Sequence, residues 1–184
     1  MGEKEGIARC FIALDLDEHV REKIAGLQED LDAKGLFRGK FTEKENIHLT
    51  LKFLGEITEE KIDTVKTRLS HVRMNRFNAQ ITKAGVFTRK AVRIVWLALD
   101  SPEVRELQSV VDTSLEKHFT KERRFMGHIT IARVKKVYDT DALLEYLDSL
   151  DPRISVDVAS FSLRSSVLTH TGPEYSILER YHLL

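Results

Sequence analysis

The sequence predicts a mixed fold of strands and helices laid down twice, as two similar lobes that face each other across a cleft. Three observations carry this. The tetrad His48-Leu49-Thr50-Leu51 returns as His128-Ile129-Thr130-Ile131. Each copy lies in a run where polar and apolar residues alternate, so a strand would put histidine and threonine on one face and aliphatic side chains on the other. The surroundings also repeat: strand, amphipathic helix, His/Thr strand, helix, strand, with Val20-Arg21-Glu22 echoed by Val104-Arg105-Glu106. A repeat of this length implies a pseudo-twofold axis that brings the two His/Thr strands together.

The elements follow in order. Residues 8–16 read as a strand. Asp17 is an N-cap, Val20, Ile24, Leu27 and Leu31 keep helical spacing, and Gly35 is a stop. Residues 47–54 form the first His/Thr strand, closed by Gly55. Thr58 caps a second helix with Ile62, Val65, Leu69 and Val72 inside. Residues 77–87 and 91–99 read as strands joined by a turn at Thr88-Arg89-Lys90. Ser101-Pro102 is an N-cap with proline at the first helical position, and Val104, Leu107, Val111, Leu115 and Phe119 stripe the third helix. Residues 127–134 form the second His/Thr strand. Thr140 or Asp141 begins a short helix, residues 154–168 hold one long strand or two short ones, Gly172-Pro173 turns the chain, and residues 175–183 form a last strand.

Composition sets limits. The chain has 184 residues, 42% apolar and 32% charged, with 29 basic and 29 acidic side chains. That suits one globular domain of two lobes and gives no overall basic charge for long duplex nucleic acid. The single cysteine, Cys10, excludes an internal disulfide and reads as a core residue suited to a reducing cytoplasm. No apolar run approaches the roughly 20 residues of a membrane span, and the polar start, residues 1–6, does not read as a secretion signal. The other histidines lack the grouped spacing of a zinc site. There is no Gly-x-Ser-x-Gly elbow, phosphate loop or dinucleotide fingerprint.

What remains is a pair of imidazoles and a pair of hydroxyls, the minimal kit for acid–base chemistry on a phosphodiester. Arg133 can hold a phosphate oxygen, but strict alternation places it on the face opposite His128 and Thr130, so it reaches the cleft only if the strand twists, bulges or ends there. Lys52 has the right parity and reads as lying too far along the strand. Lys121-Glu122-Arg123-Arg124 reads as a solvated loop, and Trp96 and Phe87 read as core.

At these residues the chain resembles the two-histidine phosphoesterase superfamily. Within it, the chain is most similar to the RNA 2′,3′-cyclic phosphodiesterases, historically called 2′-5′ RNA ligases. The likeness rests on Phe11-Ile12-Ala13-Leu14-Asp15-Leu16, on residues 45–55 (Glu-Asn-Ile-His-Leu-Thr-Leu-Lys-Phe-Leu-Gly), on residues 93–97, on His-Ile-Thr-Ile-Ala-Arg-Val from His128, and on the closing turn at residues 168–175. It covers almost the whole chain. One departure is Gly127 in place of a proline, which is expected to loosen the start of the second strand.

The resemblance implies a bilobal α+β fold spanning 1–184, with two pseudo-symmetric antiparallel sheets, helices outside and the active site in the cleft between them. It implies metal-free, cofactor-free opening of RNA 2′,3′-cyclic phosphate ends to a 2′-phosphate, with His48 as proton donor and His128 as proton acceptor. Thr50, Thr130 and Arg133 would hold the phosphate. The repeat itself cannot choose which histidine is the acid. The partners expected are RNA ends, tRNA fragments among them, for a cytoplasmic monomer without a membrane partner. Two alternatives stay open: a 2′-5′ ligase joining tRNA-half ends, and a non-catalytic module that binds nucleotides or RNA ends.

Overall fold

The computed structural model describes residues 6–170 and 172–184. Residues 1–5, which hold most of the polar start read as no secretion signal, and Thr171 of the closing turn lie outside them. Among the described residues the chain forms ten strands and four α-helices, an α+β fold with two antiparallel sheets.

In the first half of the chain, β1 (Ile7–Leu14) leads to α1 (Glu18–Ala33), whose N-cap Asp17 accepts from the Val20 amide at 2.8 Å. A strand absent from the sequence reading, β2 (Phe37–Phe41), comes next. It carries Arg38, Gly39 and Lys40 and shows little alternation. A 3₁₀ turn (Lys44–Asn46) then delivers His48 to β3 (Leu49–Thr58), and Thr58 caps α2 (Glu59–Leu69). The strand expected over residues 77–87 is two, β4 (Phe77–Ile81) and β5 (Ala84–Val86), in different sheets. The break falls at Thr82 and Lys83.

The second half runs β6 (Ile94–Ala98), α3 (Pro102–Ser114) capped by Ser101, β7 (His128–Val137) and α4 (Thr140–Ser149) capped by Asp139. It closes with β8 (Ile154–Val158), β9 (Ser160–Leu168) and β10 (Pro173–His182).

The large sheet runs β10-β9-β1-β3-β7-β6-β5, with β2 also on β7. Its two four-stranded halves meet at one residue pair, Leu49 opposite Ile129. These are equivalent positions of the two tetrads, so the pseudo-twofold axis passes between them. The small sheet, β4 against β8, pairs equivalent elements again. Each sequence repeat contributes to both halves of the sheet. β1 needs β9 from the second repeat, and β6 needs β5 from the first. α1 packs on β7 and β8, while its counterpart α3 packs on β3 and β4.

Apolar stripes predicted for the helices face the core, with Leu27 only half-buried and Phe119 beyond the end of α3 at Ser114. Val20, Ile24 and Leu31 of α1 and Val104, Leu107 and Val111 of α3 join one continuous core with the inward residues of the strands. Cys10 belongs to it at 1% exposure. No helix among the described residues is long and apolar enough to cross a membrane.

Candidate active site

Regular alternation breaks just after the threonine in each His/Thr strand. In β7, Trp96 of β6 sits opposite Thr130 and Val95 opposite Ala132, which leaves Ile131 as an extra residue. A bulge of this kind turns two successive side chains to one side. Ile131 and Ala132 are both buried, and Arg133 swings back to the cleft face. β3 does the same. Ala13 is opposite Thr50 and Ile12 opposite Lys52, so Leu51 is extra, Leu51 and Lys52 point into the protein, and Phe53 faces the cleft. The arginine therefore reaches the cleft through a bulge, one of the routes the sequence left open to it.

A polar residue from the opposite repeat pins each bulge. Eight residues after Val20 comes Gln28 (28 − 20), and eight after Val104 comes Asp112 (112 − 104). Both are buried on the inner faces of their helices. Gln28 Nε2 donates to the carbonyls of Ile131 and Thr42, each at 2.8 Å. Asp112 forms a buried ion pair with Lys52, whose Nζ also donates to the Thr120 carbonyl at 2.8 Å. The other Asp112 oxygen accepts from the Glu122 amide at 2.8 Å. Lys52 is thus a structural cation behind the site. Sequence reasoning passed over Gln28 and Asp112, although a polar residue at an inner helical position is a readable signal.

His48, Thr50, His128, Thr130 and Arg133 line one cleft of about 650 Å³. Both imidazoles are oriented in the same way. His48 Nδ1 lies 2.7 Å from the Asn46 carbonyl, and His128 Nδ1 lies 2.9 Å from the Met126 carbonyl. A carbonyl only accepts, so each Nδ1 carries the hydrogen and each Nε2 is left to act as base or, once protonated, as acid. His48 Nε2 is 3.0 Å from the Thr50 hydroxyl, which donates to it while the ring is neutral.

His48 is enclosed by Phe11, its ring 5.0 Å away, and by the edge of Tyr175 at 5.3 Å. Burial lowers its pKa to about 4; the Asn46 carbonyl and Asp15 oppose the shift, while the positive charges of Arg164 and His128 add to it. Arg164 is itself buried and held by Asp15 at 2.6 Å. Burial pushes the Asp15 carboxyl up, yet bonds from Ser162, Arg164 and Ser160 leave it below the usual carboxylate range. Around the cleft, Lys40 is paired with Glu43 at 2.6 Å and Arg9 with Glu56 at 3.5 Å. Arg133 makes no ion pair with an acidic side chain among the described residues. Trp96 is core, as expected. Phe87 is not: it is 52% exposed, with its edge against His128 at 5.0 Å.

The family model described as LigT-like phosphoesterase matches this chain twice, over residues 14–96 and 97–175. The chain belongs to this family. The RNA 2′,3′-cyclic phosphodiesterase of Methanothermobacter thermautotrophicus is 35% identical over 182 residues, covering 95% of this chain and 98% of that protein. The enzyme of the same name from Thermotoga maritima is 37% identical over 176 residues, covering 92% of each. Among solved structures, Escherichia coli LigT in its apo form superposes with a TM-score of 0.79 at 26% identity, over 98% of this chain and 99% of that one. LigT complexed with 3′-AMP gives 0.76 at 25%, over 97% and 99%.

For a LigT-like phosphoesterase, the glycine before the second histidine has a different meaning from the loosening expected of it. A Cβ at Gly127 would lie 2.2 Å from the Leu99 carbonyl oxygen. The Leu99 amide in turn donates to the Gly127 carbonyl at 3.0 Å. Glycine here permits a close backbone approach that ties the start of β7 to the end of β6.

Proposed function

We propose that this phosphoesterase hydrolyses RNA 2′,3′-cyclic phosphate ends to 2′-phosphates by paired histidine acid–base catalysis without a metal. The observation that carries the reading is the matched presentation of two Nε2 atoms and two threonine hydroxyls to one cleft. The scheme fits a single bilobal domain over residues 1–184, acting as a cytoplasmic monomer on RNA ends such as tRNA fragments.

His128 Nε2 takes a proton from water as the water oxygen bonds to phosphorus. The bond from phosphorus to the ribose 3′-oxygen breaks on the opposite side, and that oxygen receives the proton from His48 Nε2. Thr50, Thr130 and Arg133 hold the non-bridging oxygens as negative charge grows there. A neutral His48 gains its proton as the anionic substrate arrives, since a phosphate beside Nε2 offsets the burial that keeps the ring neutral. Thr50 then releases Nε2 and turns to a phosphate oxygen. The described residues offer no cluster of three His, Cys, Asp or Glu for a metal, and the two histidines supply both proton transfers.

The test is product analysis of a short RNA ending in a 2′,3′-cyclic phosphate, in excess EDTA. Conversion to a 2′-phosphate is expected, and is lost in His48→Ala and His128→Ala while both variants stay folded by circular dichroism. Near-normal turnover by either variant would sink the mechanism. A nitrophenyl phosphodiester separates the roles, because nitrophenolate leaves without a proton. His48→Ala should retain activity on it and His128→Ala should not.

A further inference from the structure

One pair of equivalent positions breaks the twofold relation of the cleft. Phe53 lies five residues after His48 (53 − 48), and Arg133 lies five after His128 (133 − 128). The matching bulges bring both into the cleft. Phe53 is 76% exposed. An aromatic ring left open on a strand forgoes the burial that favours apolar side chains inside. Its ring centre is 6.3 Å from that of Phe11, and Phe11 in turn packs against His48 and Tyr175. Leu168, also exposed, lines the same side. The wall beside His48 thus holds the exposed ring of Phe53 with Phe11, Tyr175 and Leu168, and Arg9 and Ser166 at its rim. The wall beside His128 carries Lys40, Thr42 and Arg133, with Phe41 between them packed on Phe37. Phe87, the aromatic on His128, does not line the cleft.

We propose that Phe53 is a specificity-determining platform that stacks the terminal base of the substrate, and so fixes the direction in which the strand lies across the cleft. The inference rests on the phosphodiesterase reading and extends it. Base–aromatic stacking needs an exposed ring face and tolerates any base, with larger purine faces held more firmly. It also bears on the proton transfers. In-line displacement places the leaving oxygen and the attacking water on opposite sides of phosphorus. The leaving oxygen belongs to the ribose, and the ribose carries the base. A base held on the Phe53 wall puts that oxygen toward His48 and the water toward His128. The asymmetry of the walls thus selects the acid, which the repeat could not.

The experiment is a binding measurement, which needs no turnover. One probe is a trinucleotide with 2-aminopurine as its terminal base and a 3′-phosphate. The other has an abasic terminal ribose with the same phosphate. The wild-type protein should quench the 2-aminopurine fluorescence and prefer the base-bearing probe by on the order of tenfold. Phe53→Ala should lose both the quenching and the preference, and Phe53→Tyr should keep them. Arg133→Gln should weaken both probes alike and leave the quenching intact. Quenching and preference that survive in Phe53→Ala would overturn the proposal, even where cyclic phosphate hydrolysis is normal. Phe53-dependent stacking without hydrolysis by the wild type would leave it standing and remove the phosphodiesterase reading.

Discussion

Each imidazole is held by the carbonyl two residues before it, so its tautomer is set by the backbone alone. The threonines do not set that tautomer, and substitutions at Thr50 or Thr130 should act on charge stabilisation. Thr50→Ala or Thr130→Ala should lower kcat by roughly 10²–10³-fold, the scale of one lost oxyanion donor, in steady-state assays. The burial of His48 has a signature of its own. Its folded pKa, about 4, lies below the ordinary histidine value, so the unfolded chain binds the extra proton. Stability is then full above about pH 6.5 and is lost as pH falls toward 4, by about 3 kcal/mol. Denaturant titrations at pH 7 and pH 5 should show the loss, and His48→Asn should flatten it. An equal slope in both proteins would mean that the ring is solvated. In kinetics, His48 must carry its proton to act as the acid, so the alkaline limb of kcat should lie at higher pH than that of kcat/KM, because a bound phosphate favours the imidazolium.

At the scale of elements, the two bulges decide what the cleft contains, and buried polar groups on α1 and α3 hold them. Asp112→Ala leaves Lys52 buried without its carboxylate and should destabilise the protein by about 3–5 kcal/mol. The double replacement Lys52→Met with Asp112→Leu should recover most of this in urea unfolding. Gly127→Ala pushes a methyl against the Leu99 carbonyl and should cost about 1–3 kcal/mol, with strand β7 and His128 displaced. Capping residues, helical stripes and the His/Thr strands were legible because each rests on local chemistry: Asp17, Thr58 and Ser101 cap where the pattern places them. The bulges were not. An extra residue in a strand is defined by its partner strand, and no local pattern marks Leu51 or Ile131. Strict parity therefore put Arg133 on the wrong face and left Phe53 out of the site altogether. For the same reason β2 was missed, since its place on β7 comes from pairing and its own residues do not alternate. The split between β4 and β5 was hidden too, because each joins a different sheet.

The whole molecule is a closed exchange between the two repeats. β1 completes its sheet with β9, and β6 completes its own with β5. Each half of the chain relies on strands and helices of the other to complete its sheet and its cover. Residues 1–99 and 100–184 expressed separately should each lack cooperative thermal unfolding. Mixed together, they should regain the circular dichroism of the intact chain; a folded single half would contradict this account. The contact of Leu49 with Ile129 has a deeper consequence. Where equivalent residues meet on an axis, a half-chain could have met a second copy of itself there, and the present protein has the architecture of a domain-swapped homodimer joined by one peptide linkage. A homodimer must mutate both subunits together. A single chain lets each copy differ alone, so phenylalanine in one repeat and arginine in the other can stand at equivalent positions.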